Sequence, residues 1–228
     1  ALDSAALWVA GFVLAVTPGK VGEFLKAVVL RSMTGTPVAR SAPVIIAERV
    51  TDGLGMLILA AIGFGGILLA SAEGNAILRA YVPGYLVVLG LLLAGIVFIQ
   101  FRPLVLRGLG ILEGLPLVGR ISHSLHELYE SSYELFRPHP LILSVMLGVV
   151  SWLWECVGFF VILWGMGLEP TWLLFWQAMF IVAAATIIGA VSGLPGGLGA
   201  AELTIAGMVQ LLVLGRTDTG FAGTAALL

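Results

Sequence analysis

The sequence predicts an all-α fold: a polytopic integral membrane helical bundle with two re-entrant or broken half-helices in an internal repeat. Three observations predict it. Of the 228 residues 60% are hydrophobic and only 11% charged, and the mean hydropathy of +1.10 lies far outside the range of soluble domains. Several apolar runs reach the roughly 20 residues that a helix needs to cross a hydrocarbon core of about 30 Å. Twice, an apolar run is cut by a Pro-Gly pair and resumes as a short apolar helix close to a glutamate.

Taken in order, Ala1 to Val16 is an apolar run without a starting Met or a basic leader, and it reads as a truncated helix instead of a signal peptide. The first break and its half-helix follow in "TPGKVGEFLKAVVL", Thr17 to Leu30, with the half-helix expected over Val21 to Leu30. Val44 to Ala70, Tyr85 to Gln100, Leu141 to Trp164 and Trp172 to Val191 are expected to span. The second break is "SGLPGGLGAAE", Ser192 to Glu202, and the tail from Thr217 to Leu228 stops in mid-pattern. The chain therefore reads as one membrane domain, residues 1–228, cut from a longer one. The first repeat covers about residues 1–70, the second about 171–228, and a polar cytoplasmic connection about 101–140.

Lys and Arg placement sets the orientation. Lys20, Lys26, Arg31 and Arg40 precede the Val44 helix, and Arg102, Arg107, Arg120 and Arg137 fill the connection from Phe101 to Pro140. Both groups belong on the cytoplasmic side, and the opposite side offers only Arg79. Within the connection, "RISHSLHELYESSYELF" places Ile121, Leu125, Leu128 and Leu135 on one helical face, which predicts a helix at the interface or against the bundle.

Several chemistries find no residues to carry them. Cys156 is the single cysteine and reads as a small buried hydrophobe. His123, His126 and His139 are the only histidines, and they lack a ligand cluster at zinc-like spacing, so no metal is expected. No G-x-S-x-G, H-E-x-x-H or P-loop occurs, and Ser192 has no histidine in any membrane segment to activate it. No cofactor, no nucleic-acid partner and no catalytic residue is assigned. The expectation leans to a transporter over an enzyme.

The breaks carry the functional signal. Pro18, Gly19, Gly22 and Glu23 align with Pro195, Gly196, Gly199 and Glu202, with two extra residues before the second carboxylate. Each half-helix of about 14 residues rises only about 20 Å, too little to cross alone, so it is re-entrant or interfacial. Unpaired backbone at membrane depth survives only against protein or a water-filled cavity. Gly/Pro-interrupted segments in corresponding positions of two halves point to a transporter's binding site. Gly196, Gly197 and Gly199 would leave no room for side chains, and the amides opening each half-helix would suit a phosphate. The plain alternative is an ordinary turn between two spans.

A second set of charges lies in "AERVTDGLGM". Glu48, Arg49 and Asp52 fall within an arc of about 100° on one helix, so all three are able to face one cavity. The alternative places them in the headgroup zone as a local ion-pair set, where Arg49 would still sit at phosphate depth. Glu155, near the middle of the Leu141 helix, is either hydrogen-bonded in protonated form to a neighbouring helix or part of a proton or headgroup path. Trp8, Trp164, Trp172 and Trp176 lie near span ends and read as interfacial anchors.

"PGKVGE", then "ERVTDG", then "LPGGLGAAE" more than a hundred residues on resemble, in order and spacing, the flippase-like family also called the lysylphosphatidylglycerol synthase transmembrane domain. The match runs from about residue 16 to 210. The resemblance implies about eight inner-membrane helices, in a bacterial or archaeal cytoplasmic membrane, that handle lipids with phosphate-bearing headgroups. By motif match it carries over Pro18, Gly19, Gly22 and Glu23, then Glu48, Arg49 and Asp52, then Pro195, Gly196, Gly197, Gly199 and Glu202. Lys20 stands where many relatives have Arg, keeping the charge without the planar fork. No soluble aminoacyltransferase stretch occurs in these residues, so lipid movement is implied over lipid synthesis.

The resulting expectation is a lipid transporter, flippase-like, that moves a phosphate-bearing lipid between leaflets. Lys20, Lys26 and Arg49 would hold the phosphate, while Glu23, Glu48, Asp52 and Glu202 offset charge or bind a cationic group; Glu155 is an additional candidate. Its partners are the lipid and the bilayer, with a homo-oligomer or a lipid synthase as further partners left open. The alternatives are a membrane-embedded enzyme of phospholipid or polyprenyl-phosphate metabolism, or a non-catalytic partner of a lipid synthase.

Overall fold

The computed structural model describes residues 25–70, 82–103, 105–107, 122–213 and 219–227. Every regular element among them is helical. In chain order they are α1 (Leu25–Thr34), α2 (Val38–Ala70), α3 (Val82–Gln100), α4 (Ser122–Leu135), α5 (Pro138–Gly165), α6 (Trp172–Val191), α7 (Ala200–Met208) and α8 (Thr219–Leu227). A 3₁₀ turn, Pro195–Gly197, precedes α7, and a π-helical segment, Val209–Val213, continues it. Four stretches are long and apolar enough to cross a membrane: Ser41–Ala70, Pro138–Gly165, Trp172–Val191 and Pro195–Val213. The chain is thus an all-α polytopic membrane protein.

Chain packing divides into two units, Ala1–Thr51 with Gly90–Ser144, and Asp52–Leu89 with Val145–Leu228. The second holds the main core. Met56, Leu59, Ala60 and Ile67 of α2, Cys156, Phe159 and Leu163 of α5, and Ala178, Met179, Ile181 and Ala183 of α6 join Met208, Val209, Ala222 and Ala225 in one cluster. Lipid tails are as apolar as these side chains, so close packing has to hold the helices together. Glycines supply the closeness. A Cβ on Gly63 would lie 2.8 Å from the Phe180 nitrogen and 2.9 Å from the Trp176 oxygen, and one on Gly66 would collide with the Trp176 ring. On the other flank, Gly55 faces the Val149 nitrogen of α5 at 3.4 Å.

The helix ends explain where sequence boundaries moved. α2 starts at Val38, six residues before the expected Val44, and carries buried Pro43 inside it. The ring removes one N–H and disfavours helix, which is why the sequence reads as a boundary there; tertiary burial overrides that preference. α1 runs four residues past the expected Leu30, and Gly35, at φ 74°, donates to the Arg31 carbonyl at 2.8 Å to end it. α5 ends in a Schellman arrangement, with Leu168 N–H on the Leu163 carbonyl at 3.3 Å, Gly167 N–H on the Trp164 carbonyl at 2.9 Å, and Gly167 at φ 100°. α6 matches its expected limits and is capped by the Thr171 hydroxyl, which accepts from Leu174 N–H at 3.1 Å.

The packing adds detail at two further places. Trp176 fills the groove over Gly66 and stacks on Trp172 at 6.2 Å, because α2 offers no side chain at that crossing. Trp164 and Trp172 do stand exposed at the joined ends of α5 and α6. On α4 Tyr129 and Ser132 are buried, as is Phe136 just past its end, while Leu128 and Leu135 are half-buried; the side chains of Ile121 and Leu125 lie outside the described residues.

Gly63→Val overpacks the α2–α6 crossing against backbone that cannot rotate away, with an expected cost of about 1–3 kcal/mol. Gly65→Ala, which meets nothing within 4 Å, should leave stability nearly unchanged. Thermal unfolding in detergent, followed by retention of monodisperse protein, separates the two.

Candidate functional site

The second break is a self-closed turn. Ser192 N–H bonds the Ile188 carbonyl at 2.9 Å, and the Ser192 hydroxyl donates to the Gly189 carbonyl at 2.7 Å while accepting from Leu194 N–H at 3.2 Å. Gly197 N–H reaches the Leu194 carbonyl at 2.9 Å and Leu198 N–H the Pro195 carbonyl at 3.1 Å. The Glu202 carboxylate then accepts Gly199 N–H at 2.7 Å, the reciprocal half of a capping box, with charge favouring the positive end of α7. One of the amides expected to meet a phosphate, that of Gly199, is thus taken by the chain's own carboxylate.

Glycine is needed along this turn for different reasons. Gly193, Gly196, Gly197 and Gly199 all have positive φ, between 63° and 85°. Only Gly197 also lacks space: its Cβ would meet the Gly189 Cα at 3.1 Å and the Gly189 carbonyl oxygen at 3.3 Å. The expectation of no room fails for Gly196, whose nearest neighbour is the Leu198 Cγ at 3.9 Å, and for Gly199, which meets nothing within 4 Å. At those two positions the constraint is backbone conformation alone.

Beyond the turn, the described helix runs 14 residues, from Ala200 to Val213. It returns along α6: Gly189 faces Ala201 at one end, and Gln177 Nε2 donates to the Leu212 carbonyl at 2.6 Å towards the other. Gln177 is a polar residue inside a span that charge counting passed over. Its only sequence signal was its place as the lone amide in the apolar α6.

The charged set lies on α2, which passes from the first unit to the second between Thr51 and Asp52. In the first unit Glu48 and Arg49 form a loose pair, 3.7 Å apart, with side chains 46% and 36% exposed. Thr51 back-bonds to the Ala47 and Glu48 carbonyls at 2.9 and 3.1 Å. In the second unit the Asp52 carboxylate accepts the Trp152 indole N–H at 3.4 Å, a partner the sequence did not reveal because it lies 100 positions away. Glu155 is exposed on α5. Lys26 lies on α1, and Pro18, Gly19, Lys20, Gly22 and Glu23 lie outside the described residues, as does Trp8.

The first unit adds a cleft of about 640 Å³ lined by Val44, His126, Glu127, Glu130, Ser131, Glu134 and Leu135. Arg102 donates to Glu130 at 2.8 Å, Arg137 stands 3.8 Å from Glu134, and both guanidinium groups lie over the Tyr133 ring at 5.7 and 5.6 Å. The hydrogen bond that Arg102 donates to Glu130 holds its guanidinium above its ordinary value, and burial pushes the Tyr129 phenol up. Such a rim favours cationic groups over anions. Among the described residues, no three of His, Cys, Asp and Glu are grouped to hold a metal ion.

The family model described as the lysylphosphatidylglycerol synthase TM region matches residues 2–228. The chain belongs to this family. A UPF0104 membrane protein of Methanothermobacter thermautotrophicus (strain Delta H) is 25% identical over 204 residues, covering 82% of this chain and 57% of that protein. The chain therefore spans somewhat over half the length of this archaeal relative. No solved structure matches. Membership fixes an integral membrane protein of a family linked to lipid handling.

Three substitutions test the turn. Gly196→Ala is expected to cost about 1–2 kcal/mol through backbone conformation alone. Gly197→Ala adds an overpacking cost of about 1–3 kcal/mol against Gly189. Gln177→Leu, which strips the donor from the Leu212 carbonyl, should cost about 0.6 kcal/mol, the usual value for a hydrogen bond between membrane helices. Melting temperatures of the purified variants should fall in the order Gln177→Leu, Gly196→Ala, Gly197→Ala, the last lowest.

Proposed function

We propose that this protein moves a phosphate-bearing lipid between membrane leaflets and that Arg49 holds the headgroup phosphate. The observation that carries the reading is the depth of Arg49. Ala70 ends α2, and the 21 residues back to Arg49 rise about 32 Å, one hydrocarbon thickness. Arg49 therefore stands at the level of lipid phosphates, with a planar fork matched to phosphate oxygens. Its contact with Glu48 is long, at 3.7 Å, and its side chain is partly exposed.

Glu48, beside it in the same unit, then tempers the local charge, so that a bound phosphate is able to leave. Family membership supports lipid as the substrate class. At the second break Glu202 takes the Gly199 N–H and brings a negative charge to the start of α7, which favours Arg49 over the turn as phosphate holder. Lys20, Glu23 and Lys26 remain proposed contributors from the first motif.

Arg49→Ala is expected to abolish lipid movement while expression stays near normal, and Arg49→Lys to recover only part, since Lys keeps the charge without the paired donors. A scramblase or flippase assay in liposomes with fluorescent phospholipid reads both. Full activity of the Ala variant would remove Arg49 from the mechanism; full activity of the Lys variant would show that charge alone suffices.

A further inference from the structure

We infer that the Ser192–Gly199 turn is a rigid apolar knuckle that inserts into the lipid interface, its surface made for acyl chains and glycerol rather than for water. Four independent features of the second unit lead there. First, Val191, Leu194, Leu198 and Leu203 around the turn are 75%, 46%, 59% and 76% exposed. A turn facing water does not normally surround itself with four bare aliphatic side chains.

Second, no charged residue occurs between Glu169 and Glu202, so nothing in the approach to the turn anchors it in the aqueous phase. Third, depth agrees. Trp172 marks one interface, and the 20 residues of α6 rise about 30 Å, which brings Val191 to the opposite edge of the hydrocarbon core. Fourth, the turn bonds five of its own N–H groups, at Ser192, Leu194, Gly197, Leu198 and Gly199, to internal carbonyls, the Ser192 hydroxyl and the Glu202 carboxylate. Irregular backbone is costly in lipid because its polar groups go unpaired, and this turn removes most of that cost.

Rigidity completes the picture. Gly197 lies against Gly189 backbone to backbone, so the knuckle is fixed to the end of α6 and projects Leu194 and Leu198 outward. The contact is a property of the turn itself and holds whether or not Arg49 carries a headgroup.

The test places an environment-sensitive NBD fluorophore on Leu194→Cys, Leu198→Cys or Leu203→Cys in the full chain; Cys156 is fully buried and stays unlabelled. Glu169→Cys, exposed before α6, is the aqueous control. In vesicles of phosphatidylglycerol and phosphatidylethanolamine, the three knuckle labels should shift to the blue relative to the control. They should lose intensity when the lipids carry brominated acyl chains, and iodide should leave them nearly unchanged. Quenching by iodide without quenching by brominated lipid would place the turn in water and overturn the inference. Shielding from both quenchers would mean that protein covers the knuckle, and would overturn it equally.

Discussion

Backbone-to-backbone approach is the constraint on which the second unit depends. In a bilayer, burying leucine against leucine gains little over leaving it in lipid, so stability comes from packing that lipid cannot match. Gly63 and Gly66 bring α2 onto α6, Gly55 brings α2 onto α5, and Gly189 with Gly197 brings the turn onto the end of α6. α6 is consequently half buried along its apolar window, against 17% for the last span. It is the element against which the others are placed, and the aromatic group of Phe160, Trp172, Phe175 and Trp176 fills the flank that the glycines leave open.

Polar atoms in the second unit follow the same economy. Gln177 answers the Leu212 carbonyl, Trp152 answers Asp52, and Glu202 answers Gly199. Each joins two positions that have to stay in register, so a hydrogen bond that is modest in energy becomes specific in geometry. Where α7 turns into the π segment, the Gln177 bond fixes how far the returning helix travels along α6.

Hydrophobic length made most of the fold legible. α6 falls on its expected limits, and α3 and α5 extend theirs by three residues or fewer at either end, since an apolar run of membrane length has few other fates. The second break was legible because four glycines and a proline exclude a continuous helix. Long-range partners were not. Nothing local says that Asp52 meets Trp152, or that Trp176 covers Gly66, because helix register decides both. The acidic cleft beside α4 was hidden for a related reason: it forms only where Val44 of α2 closes the other wall.

The two motif regions end up with opposite electrostatic characters, and that contrast bears on how a lipid would be handled. At the second break a carboxylate neutralises the positive end of α7, leaving a surface of leucine and valine with its polarity turned inward. On α2, Glu48 and Arg49 keep a partly exposed pair of charges, 3.7 Å apart. A lipid is itself divided this way, into a charged head and apolar tails, and a protein that moves it has to meet both halves without holding either too tightly. On the proposed reading, the guanidinium serves the first need. A stiff apolar turn serves the second, because it disturbs acyl chains without offering them a pocket.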